Sequence, residues 1–207
     1  MKMKEKNRRE GPAMKRADNL FLQFFHPEYN ELKTTEAASI LLQLHGGRME
    51  YLMLLKLLYL ADREALLKWE RPITYDNYSS MDKGPVLSTT YNIIKAVLPD
   101  RREIWNKYIS VARRYCVHLI DEAPKIKKLS QAEIDLLKNI YDRYGKMNRW
   151  DLVKYTHTLP EYKDPHGSSI PIKFNDLLGV LGYGKEDIER ITAEMQAEAE
   201  IDSILGA

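Results

Sequence analysis

The sequence predicts a mainly α fold, a compact helical domain around a central buried helix with a small β-hairpin. Three observations lead there. From about Met49 to Trp69 the apolar residues run all round the helix instead of along one stripe, the pattern of a helix enclosed by others. Ser130-Gln-Ala-Glu133 is a capping box and Asn148 a second capping residue, so two further helices are announced by their starts. Only between Tyr108 and Asp121 does the period fall to two, with Ile109, Val111, Arg113, Tyr115, Val117 and Leu119 alternating against Ser110, Ala112, Arg114, Cys116 and His118, which argues for strand in a small hairpin.

In chain order, residues 1–18 lack periodicity and contain Gly11-Pro12, so they are expected to form a disordered basic arm, with order starting near Leu20. Thr34-Thr35 can cap a first helix to about Leu44, which Gly46-Gly47 would end. After the central helix, Arg71–Lys83 holds Pro72, Asn77 and two serines without helical period, a loop or short irregular hairpin. Pro85 suits the first turn of a helix to about Leu98. The capping box opens a helix to Tyr144 with Gly145 as its stop, Asn148 one to Thr156, and Ile188–Leu205 is a last helix, rich in alanine and acidic outside. The expected organisation is an arm over 1–18, a helical domain over 19–183 and an acidic C-terminal helix over 184–207.

Composition narrows the function. With 207 residues and 44% hydrophobic content the chain can bury a sizeable core. One cysteine, Cys116, rules out an internal disulfide, and no Cys/His zinc spacing occurs, which fits a reducing cytoplasm. The apolar stretches are too short for a secretory leader or a bilayer span, so a cytoplasmic protein without membrane contact is expected. Net charge is +2, but residues 1–18 carry +4 and residues 184–207 carry −5. Such ends can clasp each other, meet different partners, or simply be solvated.

Several residues bear on chemistry. Asp62 falls on an apolar face of the central helix with Leu55, Leu58, Tyr59 and Leu66, so its carboxylate must find donors. A structural role, accepting from backbone N–H groups of the Tyr75–Gly84 loop, stands against a catalytic one that would need His157 as partner. Lys56, Tyr59 and Arg63 lie on another stripe, free to meet an acidic partner or to be solvated. Gly84 permits a positive φ ahead of Pro85, and the phosphate-binding patterns GxxxxGK[ST] and GxGxxG are absent. Tyr75, Tyr78, Met81 and Tyr91 gather aromatic and flexible apolar groups around this turn, a composition favoured at protein interfaces. With Arg63, Lys83, Gly84 and Pro85 they form the candidate partner-binding set. Cys116 and His118 would share a strand face without a third orienting group, the setting of an inert thiol. The segment Arg101–Lys128 holds eight basic and three acidic residues but no nucleic-acid-binding signature, so nucleic acid is not the expected partner.

The order KLLYLAD (56–62), RPIT (71–74), an aromatic residue and GPV (84–86), followed by LVKYTHTLPEY (152–162), resembles the Panacea domain, the SocA-like antitoxin family. The resemblance covers about Thr35–Tyr162. It implies a mainly helical domain that neutralises a cognate protein toxin by direct binding, without catalysis; no cofactor or metal is expected, and Asp62 and His157 are expected to be structural residues. A proteolytic adaptor serving a AAA+ protease is the alternative within the family. A DNA-binding autoregulator using the basic arm is a further one.

Overall fold

The central helix sets the architecture, with helices and strands from both sides of it in the chain packed around it. The computed structural model of the chain describes residues 29–98 and 103–205. The expected arm and the expected onset of order near Leu20 lie outside these residues. Helix α1 (Glu31–Leu44) is capped by Asn30, whose side-chain oxygen accepts from the Lys33 N–H at 2.9 Å. The cap is therefore one turn ahead of the expected Thr34-Thr35. Both threonines are buried within the helix, and Thr35 turns its hydroxyl onto the Glu31 carbonyl a turn back.

Strand β1 (Arg48–Glu50) claims Met49, the expected first residue of the central helix, because the chain beyond the hairpin turn offers it a partner strand. Met49 pairs with Val117, and both are buried. Helix α2 (Tyr51–Trp69) follows, buried at every position from Met53 to Asp62, as all-round apolarity requires. It packs against α1, β3, α5 and α6 as they are defined here and below.

Strands β2 (Tyr78–Met81) and β3 (Gly84–Leu87) form a tight hairpin, and β5 (Ser169–Ile172), which sequence patterning did not reveal, joins the other side of β2 to give the antiparallel order β3-β2-β5. Pro85 thus sits in a strand, opposite Ser80, and not in the first turn of a helix. An edge strand tolerates a residue that lacks an N–H. Helix α3 (Ser88–Ile94) starts only at Ser88 and ends short of the expected Leu98. Its cap comes from a distance: the buried Asp76 carboxylate accepts from the Thr89 and Thr90 N–H groups, each at 2.8 Å.

A single helical turn, α4 (Trp105–Tyr108), leads into the period-two segment. There Ile109 bridges Leu119 and Arg113 bridges Cys116, so a hairpin forms with one more residue on its first arm than on its second, a β-bulge. The bulge breaks the expected alternation and leaves Val111 exposed beside buried Ile109 and Val117. The second arm continues as β4 (Cys116–His118), whose main ladder is with β1.

Helix α5 (Gln131–Tyr144) has both halves of its capping box: Glu133 N–H donates to Ser130 Oγ at 3.3 Å, and Ser130 N–H to Glu133 Oε2 at 2.8 Å. Its approach is held by Glu36 of α1, a fully buried carboxylate that accepts from the N–H groups of Lys127, Lys128 and Leu129. Asn148 caps α6 (Arg149–His157) through the Trp150 and Asp151 N–H groups, both at 3.0 Å. After β5 come α7 (Phe174–Val180), also unforeseen, and α8 (Lys185–Leu205), which buries Ile191, Thr192 and Met195. No helix among the described residues is long and apolar enough to cross a membrane.

Candidate functional site

Asp62 is fully buried near the middle of α2. Its Oδ1 accepts from the N–H groups of Ile73 (2.9 Å) and Thr74 (3.0 Å), and its Oδ2 from the Thr74 hydroxyl and the Tyr78 hydroxyl (3.0 Å). The backbone donors stand just ahead of the expected Tyr75–Gly84 loop. Burial pushes the carboxyl up to about 6 against the opposing pull of these donors, and it is the ionised form that can accept from all four. The consequence for Tyr78 is a correction. It is 4% exposed, its ring meets Tyr59 edge-on at 5.5 Å and its hydroxyl belongs to Asp62, so it is a core residue and no surface anchor.

The second stripe of α2 is internal too. Tyr59 Oη donates to Glu161 Oε1 at 2.9 Å, and Arg63 Nε to the same oxygen at 2.7 Å. Arg63 has thus found its acid within the chain, just past α6, and leaves the partner-binding set. Lys56 is fully buried, with Nζ donating to the Pro85 carbonyl at 2.5 Å; loss of water pushes its pKa down to about 7. Gly84, with φ +88°, lies against Lys56, Thr156 and His157: a Cβ built there would be 2.6 Å from Thr156 Oγ1 and 3.0 Å from Lys56 Nζ. Gly84 and Pro85 are both buried, which removes them from the surface as well. His157 is exposed and stacks on Tyr162 with ring centroids 4.3 Å apart. Burial and the Lys56 charge lower its pKa. Asp62 therefore faces Ile73, Thr74 and Tyr78, while His157 faces Gly84, Lys56 and Tyr162; the geometry builds no acid–base pair from them.

What remains of the predicted set gathers elsewhere. Met81, Lys83 and Tyr91 line a groove of about 490 Å³ together with Glu50, Tyr51, Tyr115, Arg149 and Trp150. Tyr115 is 68% and Trp150 49% exposed. Cations lie over the rings: Arg149 and Lys83 at 5.0 and 5.7 Å from the Trp150 centroid, and Lys95 at 5.6 Å from that of Tyr51. Arg149 also pairs with Glu50. Tyr75 is not among the lining residues; it is half-buried near α1, with the Lys33 ammonium 5.8 Å from its ring.

Residues 54–163, just over half the chain, match the family model described as antitoxin SocA-like, Panacea domain. The chain belongs to the SocA-like Panacea domain family. No curated protein and no solved structure gives a significant match. The family's description associates this Panacea domain with toxin–antitoxin systems. The matched span runs from within α2 through α6 to Lys163, so it includes the Asp62 clasp, the β2–β3 hairpin, the hairpin of Tyr115 and the Glu161 ion pair. The groove of the Panacea domain is assembled across the limit of that span, since Glu50 and Tyr51 precede it and Ser168 follows it.

Sequence reasoning missed Tyr51, Tyr115 and Trp150. Trp150 had a usable signal, an aromatic residue directly after a capped helix start; Tyr115 stands between two arginines and a cysteine in an otherwise regular alternation and had none. Cys116 is a free, half-buried thiol, and the nearby His118 ring nitrogen Nδ1 lies 2.9 Å from Ser110 Oγ. Among the described residues no group of three His, Cys, Asp or Glu could hold a metal ion.

Proposed function

We propose that this Panacea-domain protein is an antitoxin that neutralises a neighbour-encoded protein toxin by direct binding, with the groove between Tyr115 and Trp150 as its contact surface. The observation that carries this reading is the exposure of those two aromatic rings, both lining one groove large enough to receive partner side chains. Large aromatic residues left in water are the usual anchors of protein interfaces, and rings of this kind dominate binding energy when a partner covers them. The buried polar groups support binding over catalysis: Asp62, Asp76 and Glu36 each hold a loop or a helix start through its backbone N–H groups, and Glu161 ties α2 to the segment after α6. They rigidify the frame on which the groove is built.

The test is co-expression with the product of the adjacent gene, scored by growth rescue and by co-purification. Tyr115→Ala and Trp150→Ala are expected to fold normally and to bind at least about tenfold more weakly. Full rescue by a folded Tyr115→Ala/Trp150→Ala variant would remove the groove from the interface. Rescue that persists in a host lacking AAA+ proteases identifies direct inhibition; rescue that disappears there identifies a proteolytic adaptor.

A further inference from the structure

The groove has a charge character beyond its aromatic walls. Lys83 lines the groove and lies over Trp150, while Lys95, not itself a lining residue, lies over the lining ring of Tyr51; neither has a carboxylate within ion-pair distance among the described residues. The two acids of the groove are already engaged: Glu50 pairs with Arg149, and Asp82 accepts from the Gly167 N–H at 2.8 Å. A lysine held over an aromatic face keeps N–H donors free, and a carboxylate arriving there meets a cation that is already oriented.

A second observation concerns Tyr115 itself. Arg113 and Cys116 exchange both backbone hydrogen bonds, N–H to O at 2.9 and 3.0 Å, so Arg114 and Tyr115 are the two central residues of a tight hairpin turn. Both have positive φ, 49° and 66°. Turns of this class favour Asn-Gly, because side-chain-bearing residues are strained there. The tip is nevertheless held in place, with the Tyr51 N–H donating to the Tyr115 carbonyl at 2.9 Å and the two rings 6.3 Å apart. An arginine and a tyrosine thus occupy a strained turn that would be easier without them, and the tyrosine ring stands in water on the groove wall.

Resting on the reading of this groove as the partner's seat, we infer that it takes an acidic segment of a partner protein: an aromatic or long aliphatic residue enters between Tyr115 and Trp150, and neighbouring Asp or Glu side chains meet Lys83 beside Trp150 and Lys95 beside Tyr51. Single-stranded nucleic acid also favours aromatic rings and cations. A phosphodiester at every step would, however, face Asp82 and Glu50 as well, whereas a protein segment can place its carboxylates only where the lysines are.

A displayed library of random linear peptides, selected on the intact protein, tests this. The enriched peptides should carry an apolar anchor flanked by Asp or Glu, should bind more weakly as salt is raised, and should lose about tenfold or more in affinity on Lys83→Glu/Lys95→Glu. Both lysines are exposed, so this variant is expected to stay folded, with at most a small fall in melting temperature from the two lost ring contacts. Replacing the turn, Arg114→Asn/Tyr115→Gly, should raise the melting temperature and abolish peptide binding together. Enrichment of basic or uncharged peptides, no enrichment, or undiminished binding by either double variant overturns the inference. So does tight binding of a single-stranded oligonucleotide that Lys83→Glu/Lys95→Glu destroys, which would assign the groove to nucleic acid. The rescue assay separates the two claims: rescue lost with Tyr115→Ala but kept with Lys83→Glu/Lys95→Glu leaves the groove as the interface and removes its preference for acidic partners.

Discussion

Two ionisable residues of the central helix are fully buried, and burial pushes each toward its neutral form; they differ in how many partners oppose that push. Asp62 has four donors and Lys56 a single acceptor. Asp62→Ala would orphan the Ile73 and Thr74 N–H groups and two hydroxyls, for an expected loss on the order of 3 kcal/mol, a fall of roughly 10 °C in Tm. A melt within a degree of wild type would contradict the clasp. Lys56 carries the pH dependence. Its pKa lies near 7 in the folded protein against about 10.4 in an unfolded chain, so between those values the unfolded chain binds more protons. Folding stability should therefore rise with pH above 7, on the order of 2 kcal/mol between pH 7 and 9, and the full penalty should be felt below pH 7. Denaturant titrations across that range should show the rise in wild type and lose it in Lys56→Met.

Among elements, Gly84 is the closest approach of the β2–β3 hairpin to α2 and α6, beside the Tyr78–Asp62 and Lys56–Pro85 hydrogen bonds. Its left-handed φ admits no side chain cheaply, and Thr156 and Lys56 fill the place a Cβ would take. Gly84→Ala should cost about 3 kcal/mol, part backbone strain and part overpacking, measurable by chemical denaturation. An effect under about 0.5 kcal/mol would show that the hairpin can move away from α6. The same contact explains why Pro85 lies in a strand: once Gly84 is pressed against α6, the chain leaves extended and can turn helical only at Ser88, where Asp76 supplies the cap.

For the whole molecule, the C-terminal helix α8 belongs to the packing. Ile191 and Met195 are 1% and 4% exposed, Arg190 pairs with Glu70 at the end of α2, and the Tyr183 hydroxyl donates to the Leu66 carbonyl at 2.8 Å. Ile191→Ala and Met195→Ala should each cost about 2–5 kcal/mol. A single cooperative melt displaced downward is the expected result; an unshifted melt would mean that α8 is docked without contributing to stability.

The sequence by itself determined the central helix, the capping-box helix, the helix opened by Asn148 and the family, because each is written in a local pattern: all-round apolarity, a side chain three residues from the amide it caps, an ordered set of short motifs. It also singled out Met81, Lys83 and Tyr91, three residues of the groove. It could not reveal β5 or α7, whose short runs carry no period of their own and are defined by the surfaces they join. Nor could it sort Tyr78 from Tyr115. Both are tyrosines in strand-like segments, yet one reaches Asp62 inside the core and the other stands on a strained turn in water. That difference arises from which chain segments lie above each residue, a property of the packed molecule, and the tertiary structure alone decided it.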